Sequence, residues 1–139
     1  MTNKLFNAKP GKQISIFLEN RPGTLAEVIN TLRKHGVNML ALSLSEGIDV
    51  GYVRIIVDKH NEAVEVLKQA KHIISVTDVV LLTVANKPGG LASAIDVWAK
   101  AGINVEYAYS ADDADAEQSL IVAHVNKPKK AVEVLRSFL

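Results

Sequence analysis

The sequence predicts an α+β fold built twice: two ferredoxin-like units with antiparallel sheets and the helices on one face. Three observations carry this. Asn20-Arg21-Pro22-Gly23 follows alternating apolar residues and opens a helix-patterned segment, and Asn86-Lys87-Pro88-Gly89 does the same at an offset of 66 residues. Ala131-Val132-Glu133-Val134-Leu135 repeats Ala63-Val64-Glu65-Val66-Leu67 letter for letter, now at an offset of 68. Around these landmarks the periodicity runs β-α-β-β-α twice. The two extra residues fall in the second hairpin, where a duplicated unit tolerates insertion. The expected units are residues 1–76, with a core from residue 13, and residues 77–139. A fourth strand is clear only in the first; that of the second is either missing or supplied by residues 3–8.

Each element follows from its pattern. Lys9-Pro10-Gly11-Lys12 reads as a turn. Residues 13–19 alternate, with Ile14, Ile16 and Leu18 on one face, as a half-buried strand does. Leu25, Val28, Ile29 and Leu32 mark an amphipathic helix, and Gly36 is placed to end it. Residues 37–45 and 51–58 are strands around a Glu46-Gly47-Ile48-Asp49 hairpin turn. Asn61 is the expected cap of a second helix carrying Ala63, Val64, Leu67 and Ala70. Residues 73–76 form a short strand, and the order then restarts with a β-rich run over 78–85. Leu91, Ala94, Ile95 and Trp98 repeat the first helix face, Gly102 matches Gly36, and Trp98 takes the core place of Leu32. Strands over 103–110 and 119–125 flank an acidic loop, and Asn126 and Pro128 start the last helix.

Composition narrows the function. The chain has 139 residues, 48% of them hydrophobic, enough for a packed core. A net charge of +1 gives no electrostatic reason to expect nucleic acid or an anionic membrane. With no cysteine, disulfides, thiolate metal sites and cysteine nucleophiles are excluded. No apolar run reaches the ~18 residues of a spanning helix, and the N-terminus lacks a signal-peptide core, so a cytoplasmic protein is expected. His35, His60, His72 and His124 show neither metal spacing nor a paired carboxylate. Asp112, Asp113, Asp115 and Glu117 lack the glycine and spacing of a calcium loop. No metal, no cofactor and no catalytic residue is expected, since no activated nucleophile or acid–base pair is apparent.

The repeated turn is the chemical landmark. Proline suits the first helical turn, and the glycine after it lets a ligand approach the backbone. The first N–H groups of the helix have no partner within it, and the helix dipole favours an anion such as a carboxylate there. Asn20 and Asn86 set a side-chain amide beside the same spot. Thr24 and Gly90 are equivalent but unlike, so the two sites need not be. Gly90 would either open room for a ligand's backbone atoms or only loosen the turn. Asn38 and Asn104, opening the next strands, are either further ligand contacts or turn caps. Tyr107 and Tyr109 alternate along one strand, where one face could line a cavity.

Glu19 to Leu25 with Gly36-Val37-Asn38, and again Asn86 to Leu91 with Gly102-Ile103-Asn104, resembles the ACT domain. The likeness covers the chain from about residue 13 to its end and is closest to stand-alone tandem ACT proteins of bacteria. It implies βαββαβ units that pair side by side into an eight-stranded sheet, within one chain or in a homodimer. It also implies binding of a free amino acid at interfaces between units, and regulation of a partner enzyme. The ligand positions carried over are Asn20, Pro22, Gly23, Thr24 and Asn38 in the first unit, and Asn86, Pro88, Gly89, Gly90 and Asn104 in the second. Some serine-binding members carry a histidine two residues before the turn asparagine; Leu18 and Val84 stand there instead, which argues against serine. A protein–protein interaction module without a ligand of its own is the alternative.

Overall fold

The computed structural model describes residues 6–45, 50–111 and 115–137. They form β1 (Phe6–Glu19), α1 (Thr24–Lys34), β2 (Met39–Ser45), β3 (Val50–Val57), α2 (His60–Gln69), β4 (Ile74–Ala85), α3 (Gly90–Lys100), β5 (Val105–Ser110), β6 (Gln118–Val125) and α4 (Pro128–Arg136). The expected α+β fold is present. Its compact units are residues 12–77, and residues 6–11 with 78–137. β1 and β4 each give a segment to both, so six strands, not eight, are counted among the described residues.

In the first unit the strand order is β2-β3-β1-β4. β3 pairs antiparallel with β1, from Ile14↔Ile55 to Glu19↔Val50, and with β2, ending at Ser45↔Tyr52. This register sets the end of β2 and the start of β3 beside the end of β1, where the first Pro-Gly turn lies. Alternation sends Ile14, Ile16, Leu18, Val53, Ile55 and Val57 to one face, against Val28 and Leu32 of α1 and Ala63 and Leu67 of α2. The α1 stop is a Schellman motif: Gly36 N–H donates to the Arg33 carbonyl at 3.0 Å and Val37 N–H to the Leu32 carbonyl at 3.1 Å.

The second unit repeats this, with β4 paired antiparallel to β6 and β6 to β5. Residues 6–11 of β1 lie on the other side of β4. Ala8 is 1% exposed in a core with Val80, Leu82, Val84, Ala123 and Val125. Trp98 is buried there and its indole N–H donates to the Ala131 carbonyl at 3.0 Å.

Four local expectations need correction. Pro10-Gly11 does not turn; β1 runs through it. In the second unit this segment is an edge strand, where a missing N–H is tolerated, and a Cβ on Gly11 would fall 2.6 Å from Leu81 Cγ. The strands expected at 73–76 and 78–85 are one strand, β4. Asn61 is not a cap: α2 starts one residue earlier behind Lys59, with no side-chain capping bond. His124 does have a carboxylate partner, its Nδ1 lying 3.0 Å from Glu106 Oε2, with the Tyr107 ring centroid 4.9 Å from its own. That neighbour comes from strand pairing, which residue spacing does not display. The hairpin turn over 46–49 and acidic residues Asp112 and Asp113 lie outside the described residues.

Candidate functional site

The two Pro-Gly turns adopt one backbone shape. Gly23 has φ 92° and ψ −14°; Gly89 has φ 91° and ψ −15°. Both lie in the left-handed region that residues with a Cβ avoid, so glycine is required by the turn itself and not only for close approach. Each is the N-cap of its helix, and neither helix has a side-chain capping bond. The first N–H groups of α1 therefore open at the turn without a side-chain acceptor closing them, whereas in α3 the first, that of Gly90, donates to the Lys87 carbonyl at 3.1 Å.

Around Gly23 the chain holds itself tightly. Arg21 N–H donates to the Glu19 carbonyl at 2.9 Å, and the Thr24 hydroxyl lies 3.0 Å from that carbonyl and 3.2 Å from the Arg21 carbonyl. Thr24 is thus a brace of the turn. Arg21 Nε donates to Glu19 Oε2 at 2.9 Å, and its Nη1 is 3.9 Å from Glu27 Oε1. The Glu19 carboxylate, by this hydrogen bond first and by its charge second, holds the guanidinium above its ordinary pKa. Arg21 stays charged at every useful pH.

A cavity of about 380 Å³ opens beside this turn, within the size range of small-molecule sites. Asn20, Gly23 and Thr24 border it, as do Glu19 and Arg21. Leu18, Leu25 and Leu44 make its apolar wall, and Ser45 and Gly51 close the side formed by β2 and β3. Ser45 Oγ accepts from Arg54 Nη1 at 3.0 Å, while Arg54 Nη2 donates to the Tyr52 hydroxyl at 2.8 Å. A second cavity of about 280 Å³ shares Leu18, Glu19, Arg21 and Thr24 and extends to Glu27 and Lys71.

The other expected positions are placed differently. Pro22 shapes the turn but is not in the cavity wall. Asn38 sits at the opposite end of the sheet, away by the ~16 Å length of the eleven-residue α1. There its N–H donates to Asp58 Oδ1 at 2.9 Å and its carbonyl accepts from Asp58 N–H at 3.1 Å. Asn104 makes the same paired contact with Asn126, at 2.9 and 3.1 Å. In the second unit Asn86 Nδ2 donates to the Ala116 carbonyl at 2.8 Å, tying its turn to the approach to β6. Pro88 is exposed in that turn. Gly90 does not open space: it is buried, and a Cβ there would collide with the Ala85 carbonyl oxygen. Tyr107 packs on His124. The first unit thus gathers three of its five expected residues around a cavity. Leu44, Ser45 and Gly51 were missed because only the β2–β3 register brings them to the turn.

No group of three or more histidine and carboxylate side chains with metal-binding geometry occurs among the described residues. Nor is any helix among them long and apolar enough to cross a membrane.

A family model described as an ACT domain pair matches residues 11–137. The chain belongs to that family. Among solved structures, this ACT pair is similar to protein BT0572 from Bacteroides thetaiotaomicron, 36% identical over 94% of this chain and 89% of that one, with a TM-score of 0.85. It is also similar to the ligand-free regulatory subunit of aspartate kinase from Thermus thermophilus, at 16% identity, 91% of each chain and a TM-score of 0.64. Escherichia coli aspartokinase III in complex with lysine and aspartate matches at 13% identity and a TM-score of 0.53; 95% of this chain aligns with 32% of that one. The latter two establish likeness of fold alone. A search of curated proteins finds no significant match.

Proposed function

We propose that this ACT pair is a non-catalytic regulatory protein that binds a free amino acid in the cavity beside the Gly23 turn. One observation carries the reading: a concave site of small-molecule size borders an uncapped helix start and also contains a carboxylate, Glu19. The α-carboxylate of an amino acid would meet the first N–H groups of α1. Its ammonium group would meet Glu19, with the Asn20 amide beside the same turn. The Gly89 turn has the same backbone, and we assign it a second site that differs through Gly90 and the Asn86 tether. Membership of a family with aspartate kinase regulatory subunits among its fold neighbours supports a regulated enzyme as partner. Ligand binding regulates only if it favours one state of the assembly over another.

A specific feature favours a protein partner as well. Leu91 and Ile95, one turn apart on α3, are 44% and 38% exposed. We assign this stripe to the contact of a homodimer; as the whole function it would make the protein an interaction module.

Melting temperature measured against each of the twenty amino acids at millimolar concentration tests the proposal. At about 100 times its Kd a ligand stabilises the native state by about 2.7 kcal/mol, a shift of several degrees. A shift with one or a few amino acids is expected. A flat screen, with dimerisation abolished by Leu91→Lys, would replace the sensor by the interaction module.

A further inference from the structure

We infer that the amino acid taken by the Gly23 cavity has an uncharged, apolar side chain; this rests on the binding function proposed above. The wall of the cavity carries three leucines, Leu18, Leu25 and Leu44. The charged side chains in that wall are Glu19 and Arg21, and they pair with one another at 2.9 Å. Arg21 also lies within 3.9 Å of Glu27. A ligand with an acidic side chain would therefore bring a third carboxylate to an arginine that already faces those of Glu19 and Glu27. A basic side chain would bring a second ligand cation to Glu19, which already holds Arg21 and would receive the ligand's ammonium group. An apolar side chain adds no further charge to this cluster and covers exposed leucine surface. Leu44 is 55% exposed, so it has apolar area left to bury and little role in the core. The polar groups of the site then serve the part that all amino acids share, and the leucines do the selecting.

Calorimetric titration with L-leucine, L-isoleucine, L-valine, L-alanine, L-aspartate and L-lysine tests this. At least one of L-leucine, L-isoleucine and L-valine should bind about tenfold or more tightly than L-alanine, and more tightly than L-aspartate or L-lysine. Leu44→Asp, at an exposed position, should keep the melting temperature and weaken the branched ligand by about tenfold, while improving L-lysine relative to it. Tightest binding of L-lysine or L-aspartate to the unmodified protein would overturn the apolar assignment and leave amino-acid binding standing. Tight binding of the branched ligand that Leu44→Asp leaves unchanged would also overturn it, by placing the side chain away from this wall. Binding of no amino acid at all would overturn both.

Discussion

Gly90 and Thr24 occupy the same place in the two repeats, yet each is tied to its own turn. The Thr24 hydroxyl reaches the Glu19 carbonyl, whereas the Ala85 carbonyl fills the space a side chain would need at Gly90. Restoring the repeat with Gly90→Thr should therefore cost about 1–3 kcal/mol, as overpacking does. Urea unfolding of the variant measures it. His60 gives the protein a pH response. Burial first, and the charge of Lys12 second, hold its pKa below 6.5. The folded state thus binds this proton less readily than the unfolded chain does. The stability gained from a neutral His60 is complete above about pH 6.5 and is lost as pH falls through the folded pKa. Unfolding free energy should decline below about pH 6.5, and His60→Gln should flatten that decline.

At the scale of the element, the helix stops explain a weak point. α1 and α3 end in matching hydrogen-bond pairs with Gly36 and Gly102, and α2 ends the same way, but its left-handed position is Lys71 at φ 65°. Lys71→Gly should stabilise the protein by about 0.5–1 kcal/mol, read as a higher urea midpoint. Such stops were legible in the sequence as glycines at fixed offsets, and so were the Pro-Gly turns at 22–23 and 88–89; of the face expected on α3, Ala94 and Trp98 are buried while Leu91 and Ile95 are exposed. Pro10-Gly11 was misleading because the same dipeptide lies flat when it forms a sheet edge and makes room for Leu81. That depends on a partner strand far along the chain, which local pattern does not contain. The cavity divides in the same way. Asn20, Gly23 and Thr24 belong to the turn and could be read from it, while Leu44, Ser45 and Gly51 arrive through strand pairing. Asn38 matched the motif by type, but the pairing carries it to the far end of the sheet.

At the scale of the whole molecule, the repeat organises the chain, and residues 6–11 complete the unit that lies farthest from them in sequence. Ala8 sits in the core that holds Trp98, and the Ala8 carbonyl accepts from Arg136 Nε at 3.1 Å. Ala8→Glu should thus place a charge among buried apolar groups and destabilise that unit by at least about 2 kcal/mol. Trp98 is the single tryptophan of the chain, so its fluorescence reports the second unit. The Trp98 transition in urea should move to lower concentration. The Gly23 cavity is a local feature of the first unit, and a sensor role requires that an amino acid bind there. Amide shifts in a two-dimensional NMR titration, using the strongest stabiliser from the melting screen, test that most directly. Changes should concentrate at Gly23, Thr24 and Leu25, with Leu44 and Ser45 following at the same ligand concentration. Saturable changes elsewhere that leave these five amides unmoved would contradict it.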